Sequence, residues 1–167
     1  MLWRTPARVG YPRMSRPRFL LLALAALAVG LGGCGGGARL SKTEYDHKLT
    51  AVGRELAEAS KPLARAKTGP EFVSGVEQIQ DGLRKAADDL GGVKPPEDVD
   101  SANDRLVEAL RGLADEFDKV KEAAKGGAKK AREAGARLAK SKPSEKARQA
   151  VLEIQRRGYD VGLLSSA

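Results

Sequence analysis

The side chain of clearest chemical interest in this chain is the thiol of Cys34, the one cysteine among 167 residues. It closes the run Leu31-Gly32-Gly33-Cys34, which follows an apolar stretch from Phe19 to Leu31. A lone cysteine has no partner for an internal disulfide, and an unpaired thiol is unusual in a small secreted protein. The chemistry expected at Cys34 is therefore covalent attachment at its sulfur.

The residues before Cys34 have the parts of a secretory signal. Residues 1–18 carry five arginines and no acid, the stretch 19–31 is apolar apart from Gly30, and small residues lead to the cysteine. A membrane-spanning helix needs about 20 apolar residues, and this stretch is shorter. Translation from Met1 and from Met14 both stay open, since either start leaves a complete signal. The leader has no Arg-Arg pair, which favours the general secretion route over the twin-arginine route.

The run from Leu31 to Cys34 resembles the lipobox of bacterial lipoproteins. The resemblance implies cleavage between Gly33 and Cys34, a diacylglyceryl thioether on Cys34, and an acyl chain on the new amino terminus. Residues 1–33 would then be a signal peptide and residues 34–40 a lipidated, glycine-rich tether. Each buried methylene adds about 0.8 kcal/mol, so two or three acyl chains would hold the protein firmly on the outer face of the bacterial cytoplasmic membrane. The alternative is an ordinary signal peptide that ends beside a cysteine.

A second chemical pattern, Glu44-Tyr45-Asp46-His47, has the spacing of the metal ligands in di-iron helical bundles. Such a centre needs two of these motifs and further carboxylates, whereas His47 is the one histidine of the chain. The lack of Cys and His also excludes structural zinc. A haem in a helical bundle needs a methionine or a second histidine as its other axial ligand, and residues 34–167 have neither. The sequence therefore predicts no metal, no cofactor apart from the lipid on Cys34, and no enzymatic activity.

From Ser41 onward, apolar residues recur at gaps of three and four, which is typical of amphipathic helices. The predicted helices are a first from the capping box Ser41-Lys42-Thr43-Glu44, a second from Thr68 to Gly91, a third over 97–125, a weaker fourth over 128–140 and a last from Pro143 to about Arg157. The sequence thus predicts an all-α fold, a small antiparallel bundle of three to five helices over residues 41–160. Residues 161–167 are predicted to be a C-terminal tail.

Three residues within these helices carry more specific expectations. Pro62 is expected to kink or shorten the last turn of the first helix. Gly75 and Gly82 lie one heptad apart beside the apolar stripe of the second helix. They either let a neighbouring helix approach closely or simply cost about 1 kcal/mol each relative to alanine.

Charge is unevenly distributed along the helices. Residues 71–118 contain 13 acids and 5 bases, whereas residues 119–157 contain 13 bases and 4 acids. The acidic and basic helices are expected to face each other or both to be solvated, and pairing between them is favoured because the two runs nearly cancel. The alternative is that the basic segment contacts anionic lipid or an envelope polymer, through Lys125, Lys129, Lys130, Arg132, Arg137, Lys140 and Lys142. Nucleic acid is not expected as a partner, because the chain carries a secretion signal.

Several short pieces are similar to small lipoproteins of high-GC actinobacteria. They are Leu40–Tyr45, Pro95-Pro96-Glu97 with the following 104–107, and the closing residues 154–162. The chain departs from many such proteins in having no cysteine soon after Tyr45. The resemblance implies an envelope location and a helical domain, and it implies no activity. The expected function is a non-catalytic, lipid-anchored envelope protein that binds an envelope protein partner or supports an envelope assembly. Electrostatic binding of anionic lipid or cell-wall polymer through 119–157 is the alternative.

Overall fold

The computed structural model describes residues 38–166, and every regular element in this range is helical. The elements are α1 (Lys42–Arg65), α2 (Gly69–Gly91), a short 3-10 helix (Glu97–Val99), α3 (Asp100–Lys125), α4 (Ala128–Leu138), α5 (Lys142–Arg156) and a final 3-10 helix (Gly162–Ser166). The predicted all-α class is confirmed. The predicted signal peptide, its cleavage site, Cys34 and Gly35–Gly37 lie outside the described residues.

Local sequence signals set where α1 and α2 begin. The hydroxyl oxygens of Ser41 and Thr68 accept hydrogen bonds from the backbone N–H groups of Glu44 and Glu71, and both glutamates return a bond to the backbone of the cap. Two otherwise unsatisfied N–H groups are thereby satisfied at each start, which typically stabilises a helix by about 1 kcal/mol. Pro62 lies inside α1, which continues through it and ends one turn later at Arg65.

The third helix is the centre of the arrangement. α1 packs on α2 and α2 packs on α3, and the consecutive helices α4 and α5 both pack on α3. Because the link from α4 to α5 is short, the two helices together follow α3 back along its length. Pro143, at the start of α5, lies beside Gly112 in the middle of α3. Arg105, near the start of α3, is ion-paired with Glu153 near the end of α5.

Two hydrophobic clusters fill the interior, and they differ in size. The larger gathers Tyr45, Leu49, Leu90, Leu106 and Ile154 with many smaller side chains from α1, α2, α3, α5 and the C-terminal residues. The smaller has Val76, Val120 and Ala134 at its centre, with partly buried neighbours that include Phe72 and Leu138. We call the region around Tyr45 and Tyr159 the tyrosine end, and the region around Val120 and Ala134 the α4 end.

The two glycines of α2 do permit a close approach of α1. A Cβ atom on Gly75 would lie 2.6 Å from Cα of Leu63, and one on Gly82 would lie 2.8 Å from Cβ of Ala59. Both distances are shorter than any relaxed carbon–carbon contact, so alanine at either position would push the helices apart. Of the two expectations for these glycines, close packing is therefore the one that the structure bears out.

The prediction that residues 161–167 form a C-terminal tail outside the bundle is wrong. Val161 and Leu164 are only 3% and 7% exposed, and both belong to the larger core. The final 3-10 helix packs on α1, where Gly53 leaves room for it: a Cβ at Gly53 would meet the backbone nitrogen of Leu164 at 3.2 Å. The packed domain thus extends beyond residue 160. The sequence pattern missed this because two buried residues in a short turn have no helical period.

The boundaries of the later helices differ slightly from the prediction. The third helix opens with the separate 3-10 turn Glu97–Val99 after the two prolines, and α4 ends at Leu138 rather than at 140. Over residues 38–166, no helix combines the length and the apolar character that a membrane span requires.

Candidate functional site

Glu44 and His47, which have the spacing of metal ligands in the sequence, have different surroundings in this fold. The carboxylate of Glu44 accepts hydrogen bonds from the backbone N–H of Ser41 at 2.8 Å and from its hydroxyl at 2.7 Å. These bonds lower the pKa of Glu44 below its ordinary value. His47 is exposed on α1, and no group of three potential ligands occurs within residues 38–166. Glu44 therefore caps a helix.

A buried polar bridge ties three helices together at the tyrosine end. The phenol O–H of Tyr45 donates to Oδ1 of Asn103 at 2.9 Å, and Nδ2 of Asn103 donates to the carbonyl oxygen of Leu90 at 3.2 Å. Tyr45 is completely buried and Asn103 is 1% exposed. Burial raises the pKa of Tyr45 far above its ordinary value. Because each buried polar group has a partner, the bridge fixes the register of α1, α2 and α3.

A second tyrosine closes the same end from the C-terminal side. The ring of Tyr159 meets the ring of Tyr45 edge to face, with centroids 5.6 Å apart, and its O–H donates to Asp98 at 2.7 Å. The ammonium of Lys42 lies 4.3 Å above the Tyr159 ring and also donates to the carbonyl of Gly158. Burial and the nearby Asp98 raise the pKa of Tyr159 to about 12. These contacts fasten the C-terminal residues to α1.

The chain that follows the predicted tether is fastened to the same end. The backbone N–H of Leu40 donates to the carbonyl of Lys94 at 2.8 Å, and the guanidinium of Arg39 donates to the carbonyl of Pro95, also at 2.8 Å. Arg39 is also ion-paired with Asp100 at 2.7 Å. The folded domain thus begins within six residues of Cys34. Arg39 and Leu40, at the end of the predicted tether, are therefore part of the packed structure.

One buried polar side chain performs a similar structural role nearer the α4 end. Nε2 of Gln80 donates to the carbonyl oxygen of Ala114 at 2.9 Å and to the carboxylate of Asp118 at 3.0 Å. The bond from Gln80, together with one from Lys121, lowers the pKa of Asp118. Every fully buried side-chain nitrogen and oxygen in residues 38–166 has a hydrogen-bond partner. The interior polar groups are thus engaged in holding helices together.

The residues predicted to contact an anionic surface are exposed, and most lie on α4. Lys129, Lys130, Arg132 and Arg137 belong to α4, while Lys140 and Lys142 lie between it and the first turn of α5. None of these six forms an ion pair with another residue of the described chain. Lys125, at the end of α3, is paired with Glu122 one turn earlier, and both side chains are about two-thirds exposed. The inner face of α4 consists of Ala131, Ala134 and Leu138.

The expected pairing of acidic with basic helices is wrong for α4. Within the described chain, two ion pairs cross from helix to helix between the two runs: Lys146 of α5 with Glu108 of α3 at 2.9 Å, and Glu153 of α5 with Arg105 of α3. The first of them joins a base of the basic run to an acid of the acidic run. Lys119 and Lys121 pair with acids three residues earlier on α3 itself. The pairing fails at α4 because its bases occupy the outer surface, whereas the surface of α3 that it covers is apolar.

An exposed line of three residues on α5 was not predicted from the sequence. Leu152 is 41% exposed, with Arg148 one turn before it and Arg156 one turn after it, both exposed. Residues four apart lie on the same face of a helix. A signal was present, because Leu152 falls outside the apolar stripe of Ala147, Val151 and Ile154.

No protein-family model matches the chain, no curated protein matches it in sequence, and no solved structure matches it in fold.

Proposed function

We propose that this protein is a non-catalytic lipoprotein of a bacterial envelope, held by lipid on Cys34 at the outer face of the cytoplasmic membrane. Its helical bundle would act as an interaction module for a protein partner or an envelope assembly. The observation that carries the proposal is the passage from a lipobox-like cysteine into a packed domain within six residues, at Arg39 and Leu40.

The short distance along the chain between Cys34 and the packed residues Arg39 and Leu40 supports the proposal. Five residue steps separate Cys34 from Arg39, and an extended chain spans at most about 3.6 Å per residue, so the tether reaches about 18 Å. The bonds of Arg39 and Leu40 to the turn before α3 then keep the tyrosine end close to the bilayer. A protein held in this way presents its remaining surface, including the outer faces of α4 and α5, to the envelope.

Replacement of the cysteine tests the anchor. In cells that produce the Cys34→Ser variant, we expect the protein to leave the membrane fraction, and the intact mass to lack the diacylglyceryl and acyl groups. Gly36→Ser is the matched control, since it places serine close by and keeps the thiol. A Cys34→Ser protein that stays in the membrane and is still cleaved after Gly33 would contradict the proposal.

A further inference from the structure

We propose that α4 and α5 form a basic face that lies on the anionic headgroups of the same bilayer that holds the anchor. The proposal rests on the lipid anchor of the proposed function and adds the surface, the partner and the orientation of the domain. The partner is an anionic phospholipid surface.

The two helices cover the same side of α3. Arg105 and Gly112 face α5, and Val120 packs with Ala134 of α4. The steps from 105 to 112 and from 112 to 120 are seven and eight residues, close to two helical turns each, so these positions share one face of α3. The outer surfaces of α4 and α5 therefore continue into each other along the length of the bundle.

This face carries a large excess of positive charge. Residues 128–157 contain ten bases and three acids, and all ten bases are exposed. Within the described chain, Lys146 is the one base among them that has an ion pair, and one of the acids, Glu153, is occupied by Arg105. By contrast, residues 69–125 contain 14 acids and 8 bases. An anionic surface would attract the α4–α5 side and repel the α2–α3 side, which orients the domain.

The exposed line on α5 favours a bilayer over a dissolved polymer. Leu152 stands between Arg148 and Arg156 on one outward line. A helix that lies at the membrane interface combines bases for the headgroups with an apolar side chain for the acyl boundary. A soluble polyanion would satisfy the arginines but would leave the leucine in water.

The tether makes the bilayer the nearest partner of this chemistry. A domain already held within about 18 Å of a surface meets it at a high effective concentration, so weak contacts suffice to dock it. The α4 end lies far from the tether in an upright domain: twenty residues separate Asp100 from Val120, about 30 Å of helix. Electrostatic attraction fades within about 8 Å at physiological salt, so the face contacts lipid only when the domain lies down.

Lysine labelling of the lipidated protein in vesicles tests the orientation. We expect Lys129, Lys130 and Lys140 to be acylated about tenfold more slowly in vesicles with phosphatidylglycerol than in pure phosphatidylcholine, because several bases act together. Lys48 and Lys85, which bridge α1 and α2, should label equally in both. The protection should be lost at about 0.5 M salt, where screening is strong.

Two double variants with the same change in charge test whether the protection depends on the α4–α5 face. Arg132→Gln with Arg137→Gln should abolish most of the protection, whereas Arg54→Gln with Arg84→Gln removes the same charge from α1 and α2 and should leave it intact. Equal labelling in both vesicle types, or protection that appears only with added polyphosphate, would overturn the proposal. If Cys34 proves to carry no lipid, the same labelling of the unlipidated chain on preformed vesicles judges the basic face independently of the anchor.

Discussion

The tyrosine end and the α4 end of the bundle are held together by different means. At the tyrosine end, large side chains interlock with a hydrogen-bonded bridge through Tyr45 and Asn103, and charged groups such as Lys42 and Asp98 are drawn into the contacts. At the α4 end, α4 contributes two alanines and part of one leucine. Burial of methyl groups stabilises much less than burial of leucine or tyrosine, since the effect scales with apolar area.

The contrast shows how a small helix can carry an outer surface dominated by one charge sign. A helix that buries a narrow alanine stripe leaves most of its circumference in water, and α4 fills that circumference with bases. The repulsion between these bases therefore acts at the α4 end, where α4 itself buries little apolar area.

Truncation of leucine should have the largest effect and the strongest contrast. Leu110→Ala, at a position 3% exposed in the larger core, should lower the free energy of unfolding by about 2–5 kcal/mol. Leu138→Ala, at a partly buried position of the smaller cluster, should lower it by about 1 kcal/mol. Urea denaturation monitored by circular dichroism measures both. Equal losses would mean that the two ends contribute alike.

The same glycine-to-alanine change should have opposite signs at two sites. Gly75→Ala puts a methyl group against the backbone of Leu63 and should destabilise by about 1–3 kcal/mol. Gly135→Ala meets nothing within 4 Å in the middle of α4, and it should stabilise by about 0.5–1 kcal/mol through helix propensity. Thermal melts of the two variants decide the matter, and stabilisation by Gly75→Ala would refute the close α1–α2 contact.

Alkaline pH should weaken the tyrosine end in particular. The pKa of Tyr159 is raised to about 12 by burial and by Asp98, so the folded state retains a proton that the unfolded chain loses near pH 10. Stability is therefore fully present below pH 10 and falls as the pH rises toward 12. Urea midpoints measured from pH 8 to 11 should decline, and Tyr159→Phe should reduce the decline. The remaining decline in stability with pH is expected from Tyr45, because its pKa is also raised. If the urea midpoints of the wild type and of Tyr159→Phe declined equally with pH, Tyr159 would not contribute to the loss of stability.

Neutralisation of the basic surface should have the smallest effect on stability. With Lys129, Lys130, Arg132 and Arg137 all changed to Gln, the free energy of unfolding should stay within about 0.5 kcal/mol or rise slightly, because like charges are removed. Arg105→Gln is the comparison, since it breaks the pair with Glu153 and should cost up to about 1 kcal/mol. A large loss in the fourfold variant would mean that these bases hold α4 in place.

Periodic and capping signals made the helices predictable from sequence. The gaps of three and four, together with the capping boxes at Ser41 and Thr68, located α1 to α3 closely, because these signals act within a turn or two of chain. The C-terminal turn could not be found in this way. Val161 and Leu164 are buried by contacts with α1, more than a hundred residues earlier, and no local period records such a contact.

The basic residues of the candidate surface were predictable from the sequence, but whether acidic side chains pair with them in the fold was not. The bases of 125–142 are evident in the sequence, whereas their lack of acidic neighbours depends on which face of α3 meets α4. Asn103 and Gln80 are a further example, because polar residues within a helical pattern look solvent-exposed until the packing buries them. Leu152 is the opposite case, an apolar residue that the packing leaves outside.

The fastening of the C-terminal residues to α1 has a consequence for the order of folding. Lys42 and Asp46 bond to the backbone of Gly158 and Asp160, and Leu164 packs on Gly53. None of these contacts can form until nearly the whole chain has been synthesised. Loop closure over such sequence distances is slow compared with the pairing of adjacent helices. The helices from α1 to α3 can thus pair early, and the first helix receives its last neighbour only when residue 164 has been synthesised.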